Sequence, residues 1–559
     1  MFAPKLIPPL AGEPNHRTMK KLISFISLIS LISFSAISQT GDGGNIFKKG
    51  TDEYKMFMAK QDFFGGDYRS SVNKYKEVLK NRPNDGAVHF HVGECYYMMK
   101  EYVAALDELE KAKSLNPNAT AELSLVLGKT YHARGMLDKA LEELNVYRKT
   151  VADNTKKIAD SEVDVEIAQC NVAKEMMAKP VNAKLHFLID MNSQQDDKGP
   201  ILTNGDKTII FTSRRPLGDK SATDAEGDFG YFDDVYESYW SDEKRTWLSA
   251  ELIRGPINTP GYDACSSISH DGTMMFLYRN DPSEARGGEI FMSKKATSGK
   301  WKTPEILLKP VNTSYYEDAA CISPDGNTLY FVSERPGGLG RGDIWMSKKS
   351  SDGWAEPVNI GAPVNTPFDE NGLYLLPDGK TLFFCSNAPA SMGSYDILKT
   401  TMGADGKFSS PLNIGYPINS VAAETKFVMT ADKKTAYISS VRDSGLGERD
   451  IIMVDISNYD VMTGVSTLPP KPALLNGKVM SADSIPVALT ADIKVLDKTS
   501  GVEVAMTKSG VDGSYSVQFP GEKQFILEIT FDGYQKLSEE ISVPAGKTQI
   551  KDITLSKNN

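Results

Sequence analysis

The sequence predicts a multidomain chain with three parts: an α-helical array, a large all-β region and a small all-β domain. Three observations predict this organisation. Apolar residues recur with a helical period between about residues 46 and 178. A turn-and-strand pattern then recurs every 53 or 54 residues. A proline-rich stretch at residues 469–472 separates these repeats from a further run of short alternating strands.

The β repeat is clearest at residues 323–347. There Pro324, Asp325 and Gly326 predict a tight turn before an alternating apolar strand, and a glycine-rich loop leads into a second strand. Four copies carry an aspartate at the turn and lie 54, 53 and 54 residues apart: Asp271, Asp325, Asp378 and Asp432. In a fainter first copy, Gly205 takes that position.

A repeat of this length with about four short strands is typical of one blade of a β-propeller. The five copies predict five blades over residues 180–465. The fifth copy lacks a clear fourth strand, and a strand at residues 183–189, before the first copy, is available to complete it. The alternative is a six-bladed propeller in which residues 459–465 supply extra strand.

The helical segment contains three helix-turn-helix copies, with small residues where two helices would cross and aromatic residues between them. Pro83 and Pro117 end the second helix of successive copies and lie 34 residues apart. This pattern resembles the tetratricopeptide (TPR) repeat, which has a 34-residue period. The resemblance implies a TPR array over residues 46–178, with a groove that binds a peptide or a partner domain.

Residues 473–556 resemble the carboxypeptidase regulatory-like domain. The resemblance rests on the Asp512-Gly513-Ser514-Tyr515 turn and on the Gly533-Tyr534 pair. It implies a transthyretin-like β-sandwich without chemistry of its own.

The N-terminal segment, residues 1–38, is interpreted as an upstream extension followed by a signal peptide. Lys20 and Lys21 precede an apolar run at residues 22–34, and small residues follow. The apolar run is too short for a stable membrane span. The mature chain is therefore expected to be exported and to have no transmembrane segment after signal cleavage.

The composition narrows the classes of function. Charged residues at 24% and apolar residues at 40% are ordinary for a soluble globular protein. The net charge of −10 argues against nucleic acid as a partner. The five cysteines show no metal-binding or redox spacing, so we expect them to be small buried residues.

No motif in the sequence predicts catalysis. A Gly-x-Ser-x-Gly elbow, a His-Glu-x-x-His helix and a phosphate loop are all missing. His89, His91 and Cys95 suggest a metal site, but no second ligand pair follows them, so packing is the expected role. We therefore predict no catalytic residue, cofactor or metal. The alternative is a propeller that binds glycans or peptides, or one that acts as a lyase or hydrolase.

A carboxylate recurs eight residues before each turn position. These residues are the candidate binding site: Asp197, Asp263, Glu317, Glu370 and Glu424. Five carboxylates at one repeat position predict a ring near the start of the inner strands. Each carboxylate could cap backbone N–H groups of a neighbouring blade, or the ring could bind a cation or a basic segment of a partner.

A second charge pattern pairs arginines with aspartates. Arg335 with Asp343 recurs as Arg442 with Asp450. We expect each pair to brace a loop against the following strand.

The order of signal peptide, TPR array, Ser-Pro-Asp-Gly propeller and regulatory-like sandwich resembles the PorE-type periplasmic subunit of Bacteroidota type IX secretion and gliding systems. The resemblance implies a non-enzymatic periplasmic scaffold associated with the outer membrane through its partners. The implied partners are an outer-membrane protein and a secretion-complex subunit. In that family an OmpA-like domain normally follows the sandwich, and none is recognised here. We therefore expect partner binding rather than direct anchoring to the cell wall.

Overall fold

The computed structural model describes residues 51–558, except for residues 153–158, 219–221, 225–229, 281–287, 352, 464–472, 499–500, 502, 520–523 and 545–546. The predicted signal peptide and the first residues of the predicted array lie outside the described residues. The chain divides into two compact units, Met1–Ser466 and Thr467–Asn559.

The first unit begins with helices that pack against their neighbours in sequence. In the described part of the chain they are α1 (Asp52–Phe64), α2 (Tyr68–Asn81), α3 (Gly86–Met98), α4 (Tyr102–Leu115), α5 (Leu123–Ala133), α6 (Leu137–Ala152) and α7 (Ala159–Ala178). None of these described helices has both the length and the apolar content needed to cross a membrane. The predicted helical class of this region is confirmed.

The small residues of the helical repeat allow two helices to approach closely. A Cβ atom added at Gly93 in α3 would lie 2.6 Å from Cγ of Leu109 in α4. A Cβ atom added at Gly128 in α5 would lie 2.8 Å from Cγ of Leu144 in α6. The pairs α3–α4 and α5–α6 are therefore equivalent hairpins, and Gly93 and Gly128 mark the same position in each repeat.

The rest of the first unit is all-β, as predicted. Its antiparallel sheets contain four or five strands each. Sheet one contains β2 (Asp197–Thr203), β3 (Thr208–Ser213), β4 (Asp234–Ser241), β5 (Thr246–Trp247) and β6 (Glu251–Leu252). Sheet two contains β7 (Tyr262–Ile268), β8 (Met274–Asn280), β9 (Glu289–Lys294) and β10 (Glu305–Ile306).

The other three sheets repeat this arrangement. Sheet three contains β11 (Glu317–Ile322), β12 (Thr328–Ser333), β13 (Asp343–Ser350), β14 (Gly353–Trp354) and β15 (Val358–Asn359). Sheet four contains β16 (Glu370–Leu375), β17 (Thr381–Ser386), β18 (Asp396–Thr401) and β19 (Leu412–Asn413). Sheet five contains β20 (Glu424–Met429), β21 (Thr435–Ser440), β22 (Asp450–Asp455) and β1 (Lys184–Phe187).

The five sheets form a closed cycle. Their first strands contact one another in the order β2, β7, β11, β16, β20 and back to β2. Strand β1 precedes the first sheet in sequence but pairs with β22, from Lys184 opposite Asp455 to Phe187 opposite Ile452. The start and the end of the repeat region are thus joined in one sheet. We call this assembly the five-sheet ring.

The core of the five-sheet ring lies between adjacent sheets. Every residue of the second strands β3 and β17 is buried, on both faces. Large aromatic side chains on the second strands of sheets one to four are fully buried: Phe211 on β3, Phe276 on β8, Phe331 on β12 and Phe384 on β17. Sheets that are covered on both faces bury apolar residues in near-continuous runs.

The helical array packs against the ring at the loop between β17 and β18. The side chain of Met392 in this loop is fully buried in the hydrophobic core of the array. Nε2 of His132 in α5 bonds the Met392 carbonyl at 2.8 Å, and Nε2 of Gln169 in α7 donates to the Asn387 carbonyl at 2.9 Å. These contacts connect residues more than two hundred positions apart.

The second unit contains two four-stranded sheets that share one hydrophobic core. One sheet contains β23 (Ala473–Ser481), β26 (Ser514–Phe519), β29 (Thr548–Ile550) and β30 (Ile553–Leu555). The other contains β24 (Asp492–Asp497), β25 (Glu503–Lys508), β27 (Phe525–Thr530) and β28 (Leu537–Ile541).

Replacing Met392 by alanine should destabilise the contact between array and ring by about 2 to 5 kcal/mol, because it leaves a cavity in an apolar core. We expect urea unfolding of the helices, followed by circular dichroism, to shift to lower denaturant. Leu339 occupies the equivalent loop of sheet three but is 52% exposed, so Leu339→Ala should change stability by about 0.5 kcal/mol or less. Equal effects of the two substitutions would contradict this assignment.

Candidate functional site

The five predicted carboxylates lie where the first strand of each sheet begins. Four of them are the first residue of β2, β11, β16 or β20, and Asp263 is the second residue of β7. All five side chains are fully buried. They therefore occupy one repeated position, but solvent does not reach them.

Each carboxylate accepts hydrogen bonds from the residue four positions earlier. Glu317 accepts from the backbone N–H of Thr313 at 2.8 Å and from its hydroxyl at 2.6 Å. The same pair of bonds recurs in the other four sheets, from Ser193 to Asp197, Thr259 to Asp263, Thr366 to Glu370 and Ser420 to Glu424. Each carboxylate therefore caps a backbone N–H group, but one in its own connecting segment rather than in a neighbouring sheet, and the binding role remains a prediction.

An asparagine directly before each of these hydroxyl residues bonds the preceding sheet. Oδ1 of Asn312 accepts from the Ile290 N–H at 2.9 Å, and its Nδ2 donates to the Ile290 carbonyl at 2.9 Å. The equivalent pairs are Asn192 with Ile451, Asn258 with Val235, Asn365 with Ile344 and Asn419 with Ile397. We call the asparagine, the hydroxyl residue and the carboxylate together the connection clamp.

The clamp asparagines are not among the site residues predicted from the sequence. Their signal is an Asn-Thr or Asn-Ser pair that ends four residues before each carboxylate. Each asparagine uses its amide like the backbone peptide of a neighbouring strand and so pairs with the third strand of the preceding sheet. The clamp therefore joins two consecutive sheets through adjacent residues.

The predicted pairs of Arg335 with Asp343 and of Arg442 with Asp450 are wrong. Arg335 instead lies beside Glu317, with Nη2 3.4 Å from Oε1, and its Nε donates to the Ser333 hydroxyl. The reason is the strand register, which places Ser333 directly opposite Glu317 and brings Arg335 over the same carboxylate.

Arginines also neutralise the carboxylates of three other sheets. The pairs are Arg215 with Asp197 at 2.7 Å, Arg279 with Asp263 at 2.5 Å and Arg442 with Glu424 at 2.9 Å. The aspartates that begin the third strands have different partners: Asp343 accepts the N–H of Leu339 and Asp450 that of Leu446.

Sheet four departs from this pattern. Ala388 stands where the other loops carry Arg335 or Arg442, two residues after the serine opposite the carboxylate. Glu370 accepts bonds from Thr366 and Ser386, and no ion pair to it is present among the described residues. Burial raises the pKa of Glu370 to about 8. At neutral pH this carboxyl group is therefore mostly protonated.

The suggested metal ligands in the array have structural partners. His89 is buried between Glu108, at 2.5 Å, and the Pro83 carbonyl, at 3.0 Å. His91 stacks on Tyr75, and the Cys95 thiol donates to the Ser71 hydroxyl. Across the described part of the chain, no group of three or more histidine, cysteine or acidic side chains could hold a metal ion. All five cysteines are buried and free.

The chain matches no known family profile. The BBSome complex member BBS4 of Bos taurus is 31% identical over 94 residues, which is 17% of this chain and 17% of BBS4, and BBS4 of Mus musculus matches to the same extent. The matched part of this chain thus spans about a sixth of the length of these curated relatives.

Two solved structures show similarity to part of this chain. The TPR2B-domain:pHsp70 complex of yeast Sti1 is 20% identical, covers 22% of this chain and 95% of that chain, and has a TM-score of 0.20. RS223-β-xylosidase is 10% identical, covers 48% of this chain and 94% of that chain, and has a TM-score of 0.33. The helical region of this chain is TPR-like.

The arginine-paired and unpaired carboxylates should respond differently to neutralisation. Glu317→Gln leaves the buried guanidinium of Arg335 without its counter-charge and should cost about 3 kcal/mol at pH 7. Glu370→Gln resembles the protonated carboxyl group already present and should not destabilise the ring at that pH. Tryptophan fluorescence in urea measures the difference, because all five tryptophans lie in the five-sheet ring.

The pH dependence gives a further check on Glu370. Its folded-state pKa of about 8 lies above the usual value of 4.5, so the stability it contributes is complete below pH 4.5 and is lost as pH rises through 8. The wild type should therefore lose stability relative to Glu370→Gln by about 1.4 kcal/mol per pH unit across this window. A constant difference between pH 5 and pH 8 would disprove the assignment.

Proposed function

We propose that this chain is a non-enzymatic scaffold that binds other proteins of the cell envelope. The observation that carries the proposal is an exposed apolar surface on the TPR-like array. Phe57 and Phe64 on α1 are 44% and 43% exposed, and Met98 on α3 is 37% exposed. Exposed large apolar side chains that cluster on one face are typical of protein-binding surfaces.

These side chains belong to one face of the array. Counted from the small residues Ala59 and Gly93, Phe57 and His91 lie two positions before, and Phe64 and Met98 lie five positions after. Residues seven positions apart lie on the same side of a helix. We call the surface formed by Phe57, Phe64, His91 and Met98 the open array face.

On α5 the array already holds a segment of protein. His132 lies four positions after Gly128 and bonds the Met392 carbonyl. On α5 and α7 the array therefore accepts an apolar side chain and a backbone carbonyl from a loop, while the described side chains of Phe57, Phe64 and Met98 on α1 and α3 are exposed. This supports a protein segment, rather than a small substrate, as the ligand of the open array face.

The proposal extends to the architecture and to the cellular setting. The closed cycle of first strands supports a five-bladed β-propeller, and the two sheets around one core support a sandwich for the second unit. The module order supports a role like that of the PorE-type subunit in type IX secretion or gliding. In this role the chain would reside in the periplasm, with array and propeller binding different proteins: an outer-membrane protein and a secretion-complex subunit.

Capture from bacterial envelope extracts tests the scaffold function. Immobilised full-length chain should enrich two sets of envelope proteins, and the double substitution Phe57→Asp with Phe64→Asp should lose one set. The charged side chains would remove the apolar contact without entering the core. Ile485→Asp is the matched control, because Ile485 is 79% exposed and lies in the second unit. No enrichment by the wild type, or equal enrichment by all variants, would refute the proposal.

The absence of catalysis is tested separately. Purified chain should not turn over model glycans or peptides above the background of a heat-inactivated sample. Reproducible turnover that a single substitution abolishes would replace the scaffold proposal with an enzymatic function.

A further inference from the structure

The loop that docks onto the array has two close counterparts in the ring. Between the second and third strands, the sequences Leu339-Gly340, Met392-Gly393 and Leu446-Gly447 stand four residues before the aspartate that begins the third strand. In each loop the N–H of the apolar residue donates to that aspartate. The distances are 2.6 Å for Leu339 to Asp343, 2.9 Å for Met392 to Asp396 and 2.6 Å for Leu446 to Asp450.

The glycine holds each loop close to the next connection between sheets. A Cβ atom at Gly340 would lie 1.9 Å from the Phe368 carbonyl oxygen. The equivalent distances are 2.1 Å from Gly393 to the Val421 oxygen and 2.1 Å from Gly447 to the Gln195 oxygen. Only glycine allows this approach, so the three loops are held in the same way. Because all third strands begin at the same edge, the three apolar side chains lie on one side of the ring.

The three apolar side chains differ in what covers them. Met392 is fully buried by the array, and His132 bonds its carbonyl. Leu339 is 52% exposed and Leu446 is 45% exposed. The ring thus carries three copies of one contact element, and the array of the same chain covers one of them.

The array also has apolar side chains that no other part of the described chain covers. Its α5–α7 end receives Met392, whereas the open array face on α1 and α3 presents Phe57, Phe64 and Met98 to solvent. One chain therefore carries two exposed copies of the loop that the array binds and an exposed apolar surface on the array.

We propose that two copies of this chain form a reciprocal dimer in which the Leu339 and Leu446 loops of each copy bind the open array face of the other. The inference rests on the proposed function, in that the array binds protein segments. Reciprocal binding closes the assembly with two-fold symmetry, whereas one-way binding would continue into a filament. Few apolar side chains take part, so the dimer should be weak and concentration-dependent.

Sedimentation velocity of the full-length chain tests the dimer. Over a hundredfold range of concentration, the wild type should pass from monomer to dimer. Leu339→Asp with Leu446→Asp should raise the dissociation constant by about tenfold or more, and so should Phe57→Asp with Phe64→Asp. Ile485→Asp should leave it unchanged. Tryptophan fluorescence and circular dichroism show whether each variant is folded. If an aspartate variant does not fold, serine is placed at the same positions instead and the measurement is repeated.

Mixing the two double variants tests reciprocity. Each variant retains the surface that the other has lost, so a mixed dimer can form one of the two contacts. The mixture should associate more tightly than either variant alone and more weakly than the wild type. A mixture that associates no better than its components would overturn the proposal.

Two results obtained with the wild type would also contradict the proposed dimer or its surfaces. A wild type that stays monomeric at every concentration overturns the dimer, and a dimer that neither double variant weakens overturns the assigned surfaces. If a monomeric wild type still captures envelope proteins, the scaffold function stands without self-association. If it captures none, both proposals fail.

Discussion

The connection clamp is the interaction on which the five-sheet ring depends. At the link between sheets two and three, Asn312 pairs with Ile290 of strand β9, Thr313 donates to Glu317, and Glu317 begins strand β11. Backbone groups and a carboxylate at this depth must be hydrogen-bonded, because burying them unpaired costs several kcal/mol. The clamp satisfies these groups and at the same time fixes each sheet to the next. Because the clamp recurs at each link between sheets, hydrogen bonds in the connections hold the ring closed together with the apolar core.

In four sheets an arginine neutralises the carboxylate of the connection clamp. Sheet four, where the array binds, is the sheet in which no arginine does so among the described residues. Ala388 is the short residue at the arginine position of sheet four, and its carbonyl accepts a bond from Gln169 of α7 at 3.3 Å. Without an arginine, burial keeps the neighbouring Glu370 protonated at neutral pH. One local departure from the repeat thus coincides with both a neutral carboxyl group and a contact between domains.

The candidate site was predicted from sequence in part. A spacing of eight residues before each turn was enough to find the five carboxylates, because a repeat places equivalent residues at equivalent positions. The partner of Arg335 could not be found in this way. Asp343 is nearer in sequence than Glu317, but pairing between adjacent strands decides which carboxylate the guanidinium meets, and Ser333 stands opposite Glu317. The clamp asparagines carried a sequence signal that becomes meaningful only once their bonds to the preceding strand are known.

The sequence by itself determined the repeats: helical hairpins with small crossing residues, five copies of a β unit and a carboxylate at one position in each. These follow from local periodicity and turn chemistry, which neighbouring residues impose. Only the tertiary structure decided which of the equivalent loops of the five-sheet ring the array covers. Leu339, Met392 and Leu446 occupy the same place in the same loop, yet Met392 alone is buried. The difference arises from His132 and Gln169, which approach the Met392 loop from more than two hundred residues away. Local sequence specifies a contact element, and long-range packing determines what covers it.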